Sequence, residues 1–580
     1  MTSIPSAPVQ AASRSFPSGE AAGWRRARRY AVPGWMIERA GERRLAGDWR
    51  GACAAAGVEV SFTLDEVAHE HGRDVAAALA DDLVHLAPDL VRWHMPRVGR
   101  GRAAMTPDQT VVLGGPEGAA GRLYVTSPRW MVQGPQTLRL HFGRVPDEWT
   151  FLETDWSYCA FWRNLVHDWS GSRHLWDVRH TAELRERCGG DAVRAPFLDP
   201  DGSPRTAGPP AADPGPEDPA GRTEWITALH DRGETVAAFE AAGIDLDLSD
   251  FTMPSWARGR KTEPLEAFTT LPLNLARLPQ DLPPHGDRFW FPYTQHAAVL
   301  AERTASGLCL RLLAEEPGET PDDGVLLPEA VWRRPPDLDL LRAGHITPDE
   351  LHPLVREALA PARTGASAGP PGPVALSPVR VRCQGEWHET SFRDGTLQIP
   401  HTREEQQRES ALRAFGGAMA GCFAVRQAWR SGDRKLLPKA LREQRDELFA
   451  RAHHGDTPGV LELLDAGIDP HARDNRGRTL LHKLQYLDHE RLLPRLLAAG
   501  LDVEATDREE RTPLFVAVCE DGDVSLVRAL LDAGARIDTY GQIHGEEMSL
   551  YRLIDWQARG DLAFLAEMIE TRHPEITEEE

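Results

Sequence analysis

The side chains best typed for chemistry lie in one run, His167-Asp168-Trp169-Ser170-Gly171-Ser172-Arg173-His174. On a helix, His167 and His174 are two turns apart and face the same way, with Asp168 beside them; such a trio could hold a metal ion or exchange protons. A competing pattern runs through the same segment. Trp156, Trp162, Trp169 and Trp176 follow one another at intervals of six, seven and seven, which on a helix makes an aromatic stripe that packs a core and leaves the histidines at its margin. The second pattern outweighs the first, so no catalytic residue is assigned, and His167, Asp168 and His174 are carried forward only as weak candidates.

Other chemistry is excluded more firmly. His69-Glu70-His71 places its imidazoles two residues apart, so they diverge on a helix and do not satisfy the H-E-x-x-H spacing of a zinc peptidase. Asp81, Asp82, His85 and Asp89 read as a solvated helix face. Cys53, Cys159, Cys188, Cys309, Cys383, Cys422 and Cys519 stand singly, an odd number with no C-x-x-C pair; this spacing suggests neither a disulfide framework nor a zinc cage, and no metal or cofactor is expected. No G-K-[ST] occurs, and Lys261 is the first lysine in the chain, which removes Walker-type phosphate loops and the usual kinase order.

The elements that would position these residues divide along breakers. Of 580 residues, 41% are apolar and 27% charged, a globular composition. The balance of 66 basic against 88 acidic residues, net −22, opposes binding to nucleic acid or anionic membranes. No run of apolar residues is long enough to span a bilayer, and residues 1–22 lack the pattern of a secretion signal, so a cytoplasmic location is expected. Residues 1–22 read as a disordered arm. Pro/Gly-rich stretches at 196–221 and 362–373 separate blocks 23–195, 222–361 and 374 onward. The first block is read as helices, then strands at 109–113, 121–126 and 137–142 in a meander, then the Trp-rich helix. The second is read as a helix at 223–242, a hairpin from Val299 to Leu313, and a helix pair over 337–359 with Thr347 and Glu350 as a capping box. GDWRGACAAAGVEV (47–60) echoes GETVAAFEAAGIDL (233–246), which suggests a helical unit shared by the first two blocks. At 374–440 a hairpin turns at Asp394-Gly395, and a long helix follows from a Thr402/Glu405 capping box. Arg25, Arg26, Arg28 and Arg29, with Arg97, Arg100 and Arg102, form short basic patches expected to pair with the chain's own acids.

From Asp446 a period emerges. DNRGRTLLH (474–482) returns as DREERTPLF (507–515), and LLDAGID (463–469) returns as LLAAGLD (496–502) and LLDAGAR (530–536). Asp474 and Asp507 can accept from turn amides, Thr479 and Thr512 can start a helix, and Gly467, Gly500 and Gly534 can take the left-handed conformation that ends one. The pattern resembles the ankyrin repeat. The resemblance implies an opening half-repeat at 446–473, full repeats at 474–506 and 507–540, and a degenerate closing copy at 545–571, within an ankyrin segment of 441–574 and ahead of an acidic tail at 575–580. The expected whole is an α+β multidomain chain: mostly helical first and middle regions with a short β-meander and hairpins, then a C-terminal ankyrin α-solenoid.

Ankyrin stacks bind proteins. By resemblance, contacts would come from the turn tips and inner-helix face: Asp474, Asn475, Arg476, Lys483 and Tyr486 in one repeat, and Asp507, Arg508, Glu509, Val516 and Glu520 in the next. Residues 446–580 hold 14 basic and 29 acidic side chains, so the implied partner is a protein with a basic surface. Packing of the repeats on the chain's own helix at 402–430 is the intramolecular alternative. The expected function is a non-catalytic scaffold or regulator. The rival reading makes 23–361 an enzyme or effector that the repeats target or restrain.

Overall fold

The computed structural model describes residues 16–97, 103–115, 121–128, 136–146, 165–249, 263–294, 297–305, 307–314, 324–365, 367, 369–415, 419–543 and 545–578. The chain divides into two compact units, the first from residues up to Pro371 and the second mainly from Gly372 onward.

In the first unit, helices Ser18–Tyr30, Gly34–Leu45 and Trp49–Ala55 lead into strand β1 (Val58–Val60). Phe16 and Ala21 are already buried, so the fold begins within the stretch read as a disordered arm. Helices Leu64–His71, Arg73–His85 and Pro88–His94 precede β2 (Thr110–Gly114), β3 (Arg122–Thr126), β4 (Leu138–Gly143) and β5 (Val166–Asp168). The expected meander is present, flanked by two parallel strands: the sheet order is β1-β4-β3-β2-β5, with β1 parallel to β4 and β2 parallel to β5.

The same plan then repeats. Helices Pro219–Arg232 and Thr235–Ala241 lead to β6 (Ile244–Asp247), helices Pro264–Thr270 and Leu278–Asp281 follow, and β7 (Arg288–Thr294), β8 (Ala297–Thr304), β9 (Gly307–Ala314) and β10 (Val325–Leu326) complete a second sheet. Its order is β10-β7-β8-β9-β6, with β6 parallel to β9 and β10 parallel to β7. Strand for strand this is the topology of the first sheet. The correspondence extends to single bonds. Ala87 N donates to Trp176 O at 2.8 Å, as Asn274 N does to Trp332 O at 2.8 Å, beside the matching bridges Leu86–Asp177 and Leu273–Arg333. The short echo in sequence therefore marks a duplicated helix-and-sheet unit. Gly57 and Gly243, at φ +65° and +73°, end the two echoed helices in the left-handed conformation that lets the chain turn into β1 and β6.

After β10, the helix Pro336–Arg342, the Thr347/Glu350 capping box and the helix Pro353–Leu359 form as the sequence indicated. Their Leu338, Leu340, Leu351 and Leu359 join the core around the first sheet. Asp337 receives Arg28 Nε at 2.5 Å and Trp93 Nε1 at 3.1 Å. Arg28 thus pairs with one of the chain's own acids, as expected, whereas Arg97, also buried, donates to the carbonyls of Arg92 and Ala103; Arg100 and Arg102 lie outside the described residues.

The second unit opens with β11 (Val379–Cys383), β12 (Glu386–Arg393) and β13 (Thr396–Gln398). Both turns hold two residues, and both pairs, Gln384-Gly385 and Asp394-Gly395, have positive φ, as tight antiparallel hairpins require. Helices Arg403–Ala414, Gly421–Ser431 and Lys439–His453 follow. Helical layers come next: Thr457–Asp465; the 3-10 turn Leu480–Tyr486 with His489–Ala498; Pro513–Cys519 with Val524–Asp532; then hairpin β14 (Tyr540–Ile543)/β15 (Glu546–Ser549) with Leu550–Trp556 and Ala563–Arg572. One apolar core runs from Val379 to Ile569, so the hairpin module, its helices and the layers fold as a single body. Among the described residues, no helix is long and apolar enough to cross a membrane.

Candidate functional site

The weak catalytic trio does not assemble. Trp156 and Trp162 lie outside the described residues, but 166–168 is strand β5 and 173–175 a 3-10 turn, so the expected helical stripe is absent from Val166 onward. The cause is local pairing: Trp169 N donates to Val112 O at 2.8 Å, and Asp168 Oδ1 accepts from Ser170 N at 2.8 Å, which turns the chain at the end of β5. Strand alternation sends His167 inward and Asp168 outward. His167 Nε2 pairs with Gln109 Oε1 at 2.9 Å, and burial lowers its pKa to about 4. His174 is buried elsewhere, its pKa lowered to about 3 by burial and then by Arg187 and His180. Both histidines are neutral interior groups. Of the residues read as a solvated face, Asp81 is exposed and pairs with Arg179 at 2.7 Å, Asp82 pairs with Arg179 at 2.9 Å, and Asp89 departs from it, buried against His352 at 2.9 Å; Asp177, fully buried, binds Arg173 and Arg179. The string Gly365-Ala366-Ser367-Ala368-Gly369 fits G-x-S-x-G; its Ser367 Oγ donates to Leu351 O at 3.3 Å, and Ala366 and Ala368 lie outside the described residues.

The periodic segment is built as its residues require. Asp474 Oδ1 accepts from the amides of Arg476 and Arg478 at 2.8 and 3.0 Å, and Asp507 Oδ1 from those of Glu509 and Arg511 at 2.9 and 3.1 Å. Thr479 and Thr512 cap the helices that follow, and Gly467, Gly500 and Gly534 have φ of +92°, +84° and +95°. Successive turn tips bond to one another, Arg508 N donating to Arg476 O at 2.8 Å. Residues 448–540 match the family described as ankyrin repeats, in three copies. These residues are ankyrin repeats. Over 78 residues the chain is 37% identical to an ankyrin repeat-containing protein of Schizosaccharomyces pombe; the match covers 13% of this chain and 37% of that protein, so the likeness is confined to about a third of the relative's length.

The ankyrin residues expected at an interface fall into two groups. Asn475, Arg476, Arg508 and Glu509 are exposed at the tips, and Asp474 is half-buried. Lys483, Tyr486, Asp507, Val516 and Glu520 are buried, a correction to the open inner-helix face expected from the resemblance. The physical reason is a polar network. Glu520 accepts from Arg478 Nη1 at 2.6 Å, Gln485 Nε2 at 2.7 Å and Tyr486 Oη at 2.9 Å. Arg478 Nε also reaches Asp507 Oδ2 at 3.1 Å, and Lys483 Nζ lies 3.3 Å from Asp474. Burial pushes the Glu520 carboxyl up, but Arg478 and Lys483 outweigh it and its pKa falls below the ordinary value. These side chains tie repeat to repeat and are not presented to a partner. The exposed acids sit instead on and beside the outer helices: Glu462, Asp465, Glu490, Asp521, Asp523 and Asp532. A cleft of about 490 Å³ opens between the Asp394-Gly395 turn and two of those helices.

A second constellation escaped the sequence. Spacing argued against any metal-ligating set, yet the fold brings Cys383, His388, His401 and Cys422 together with one ligand atom each, all within 4.8 Å of one another. Cys383 ends β11, His388 lies on β12, His401 follows β13, and Cys422 is the second residue of the helix Gly421–Ser431. Cys383 Sγ to His401 Nε2 is 3.6 Å, His388 Nδ1 to His401 Nε2 is 3.1 Å, and Cys422 Sγ to His388 Nδ1 is 3.6 Å. Burial, with Cys383 alongside, raises the Cys422 thiol to about 12. A paired two-residue turn between β11 and β12 was the only local cue, because the remaining ligands converge solely through tertiary packing.

Proposed function

We propose that the chain is a protein-interaction scaffold whose ankyrin repeats engage a basic protein partner through the exposed tips and the acidic outer-helix side. Ankyrin repeats mark a module for binding other proteins. The observation that carries the finer reading is the partition of charge. Acids of the inner layer are neutralised by Arg478, Lys483 and Arg511 inside the array, whereas Glu462, Asp465, Glu490, Asp521, Asp523 and Asp532 are exposed, Asp465 and Asp521 with Arg495 and Arg559 beside them at 2.7 and 3.5 Å. Such a surface steers basic partners and weakens with salt. A catalytic role for the first unit finds no support in a trio that points in separate directions.

The test compares the full chain with Glu462→Gln/Asp465→Asn/Glu490→Gln/Asp532→Asn and with Asn475→Ala/Arg508→Ala/Glu509→Ala in crosslinking pulldowns at low and high salt. Partners captured by the parent and lost by both variants, and lost at high salt, support the reading. An unchanged, salt-insensitive partner set refutes it.

A further inference from the structure

We propose that Cys383, His388, His401 and Cys422 bind one zinc ion in a closed, tetrahedral, structural site that fixes the hairpin module to the start of the ankyrin array.

The geometry is quantitative. With Zn–S of about 2.3 Å and Zn–N of about 2.0–2.1 Å, a regular tetrahedron has S···N edges of about 3.5 Å and N···N edges of about 3.3 Å. Of the four S···N separations, those of Cys383 with His401 and of Cys422 with His388 are both 3.6 Å, and the N···N separation is 3.1 Å; these three match the corresponding edges to about 0.2 Å, within the tolerance for a site of this kind, and all four ligand atoms lie within 4.8 Å of one another. Two sulfurs and two imidazoles form the donor set that selects zinc among common divalent ions, and four protein ligands leave no open position for catalysis.

Three features around the ligands point the same way. Glu405 Oε2 lies 3.4 Å from His401 Nδ1 while accepting from Thr402 N at 2.8 Å. A carboxylate on the far nitrogen is how proteins orient a metal-bound imidazole, here leaving Nε2 to face the cluster. Cys422 sits in the first turn of an eleven-residue helix, which fixes the place of its sulfur against the hairpins. Gly421 has φ +59°, and a Cβ there would lie 2.5 Å from Cys383 Sγ; only glycine lets the two cysteines approach this closely. The same helix carries Trp429, whose Nε1 donates to Asp469 O at 3.1 Å in the first layer of the array. The ion would therefore clamp three strands and one helix that together cover the open end of the stack, the role terminal caps play in repeat proteins.

The experiment uses the untagged full chain purified without chelator. Metal analysis is expected to find one zinc per chain, and Cys383→Ser/Cys422→Ser to abolish it. Cobalt substitution of the parent, which needs no variant to fold, should give the intense visible bands and thiolate charge transfer of a tetrahedral S2N2 site. Glu405→Gln should keep the zinc but release it to a competing chelator about tenfold more readily. Absence of zinc, iron in its place, an octahedral cobalt spectrum, or zinc retained by the double variant overturns the assignment. So does a denatured, unreduced thiol count of five rather than seven, which would show Cys383 and Cys422 joined as a disulfide.

Discussion

Replacing Glu520 with alanine is the sharpest perturbation of the ankyrin array. The carboxylate is 3% exposed and receives three donors, one of them the fully buried Arg478. Its loss strips Arg478 of one of two anionic partners, Asp507 remaining. Removing one partner of a buried pair is worth about 3–5 kcal/mol, and the surviving Asp507 pulls the figure to the lower end. Gln485 Nε2 loses an acceptor, at about 1–3 kcal/mol for an orphaned buried group, while Tyr486 Oη keeps its bond to Gln485. The sum is about 5 kcal/mol, allowing partial rearrangement. Because two units unfold in this chain, hydrogen exchange read peptide by peptide is the suitable assay. Exchange over 480–486 and 513–519 is expected to accelerate by about three and a half decades at 1.4 kcal/mol per decade, with the first unit unchanged. Acceleration below about fivefold, about 1 kcal/mol, would refute the claim that this network is a dry, integral part of the stack. Arg478→Met combined with Glu520→Leu should recover much of the loss, as apolar replacement of buried pairs does elsewhere.

Acid should loosen the array in two steps. His482 is buried with a pKa lowered to about 4. The unfolded chain takes up its proton first, so stability falls from about pH 6.5 to about 4, by up to about 3 kcal/mol. His482→Gln should reduce that loss in denaturant titrations at stepped pH, the remainder belonging to His453, whose pKa burial also lowers to about 4. Asp474, Asp507 and Glu520, whose pKa values are lowered, contribute stability that is lost only as pH falls below the unfolded carboxylate range, about 4. Gly421→Ala must place a Cβ against Cys383 at positive φ; the left-handed backbone alone costs about 1–2 kcal/mol, and thermal unfolding of the second unit should move down accordingly. Asp177→Ala leaves Arg173 and Arg179, themselves about a third exposed, without their buried anchor. Solvent screening limits the loss to about 1–2 kcal/mol, visible as faster exchange in peptides spanning 173–187.

Legibility followed the range of the forces involved. The ankyrin segment announces itself because each repeat reuses the same local devices: an Asp turn, a Thr cap, a left-handed Gly. The hairpins and capping boxes at Asp394-Gly395, Thr347 and Thr402 were readable for the same reason, their bonds spanning only a few residues. The duplication in the first unit was nearly invisible. Only the helix-to-strand corner at Gly57 and Gly243 constrains sequence tightly, whereas the strands behind it need little more than apolar character. The tryptophan run misled because a spacing of seven fits a helix, while β2 offered Val166–Asp168 a better backbone partner. The Cys/His quartet stayed hidden because its ligands are separated by 4, 12 and 20 residues, intervals that belong to no local element. The inner ankyrin face departs from what the resemblance implies because Arg478, Lys483, Tyr486 and Glu520 satisfy one another inside the stack.

The closing repeat shows how a period survives in bonding after it has faded from the sequence. Arg476 O receives Arg508 N, and the next tip continues the chain of contacts: Glu509 O receives Gln542 N at 2.8 Å. Gln542 lies on β14, so the β14/β15 hairpin occupies the position of a further ankyrin tip, lengthened into two paired strands. Behind it, helix Leu550–Trp556 packs on Pro513–Cys519 and helix Ala563–Arg572 packs on Leu550–Trp556, with Leu550, Leu553 and Leu565 fully buried. Each end of the array is thus sealed by a β-hairpin backed by helices, β11–β13 with Gly421–Ser431 at the front and β14/β15 with its helix pair at the rear. A stack so short has too few internal layers to tolerate an open end. With both ends sealed and the inner layer closed by its own ion pairs, the tips and the acidic outer helices are the ankyrin surfaces left open to solvent, and they are the ones the pulldown variants alter.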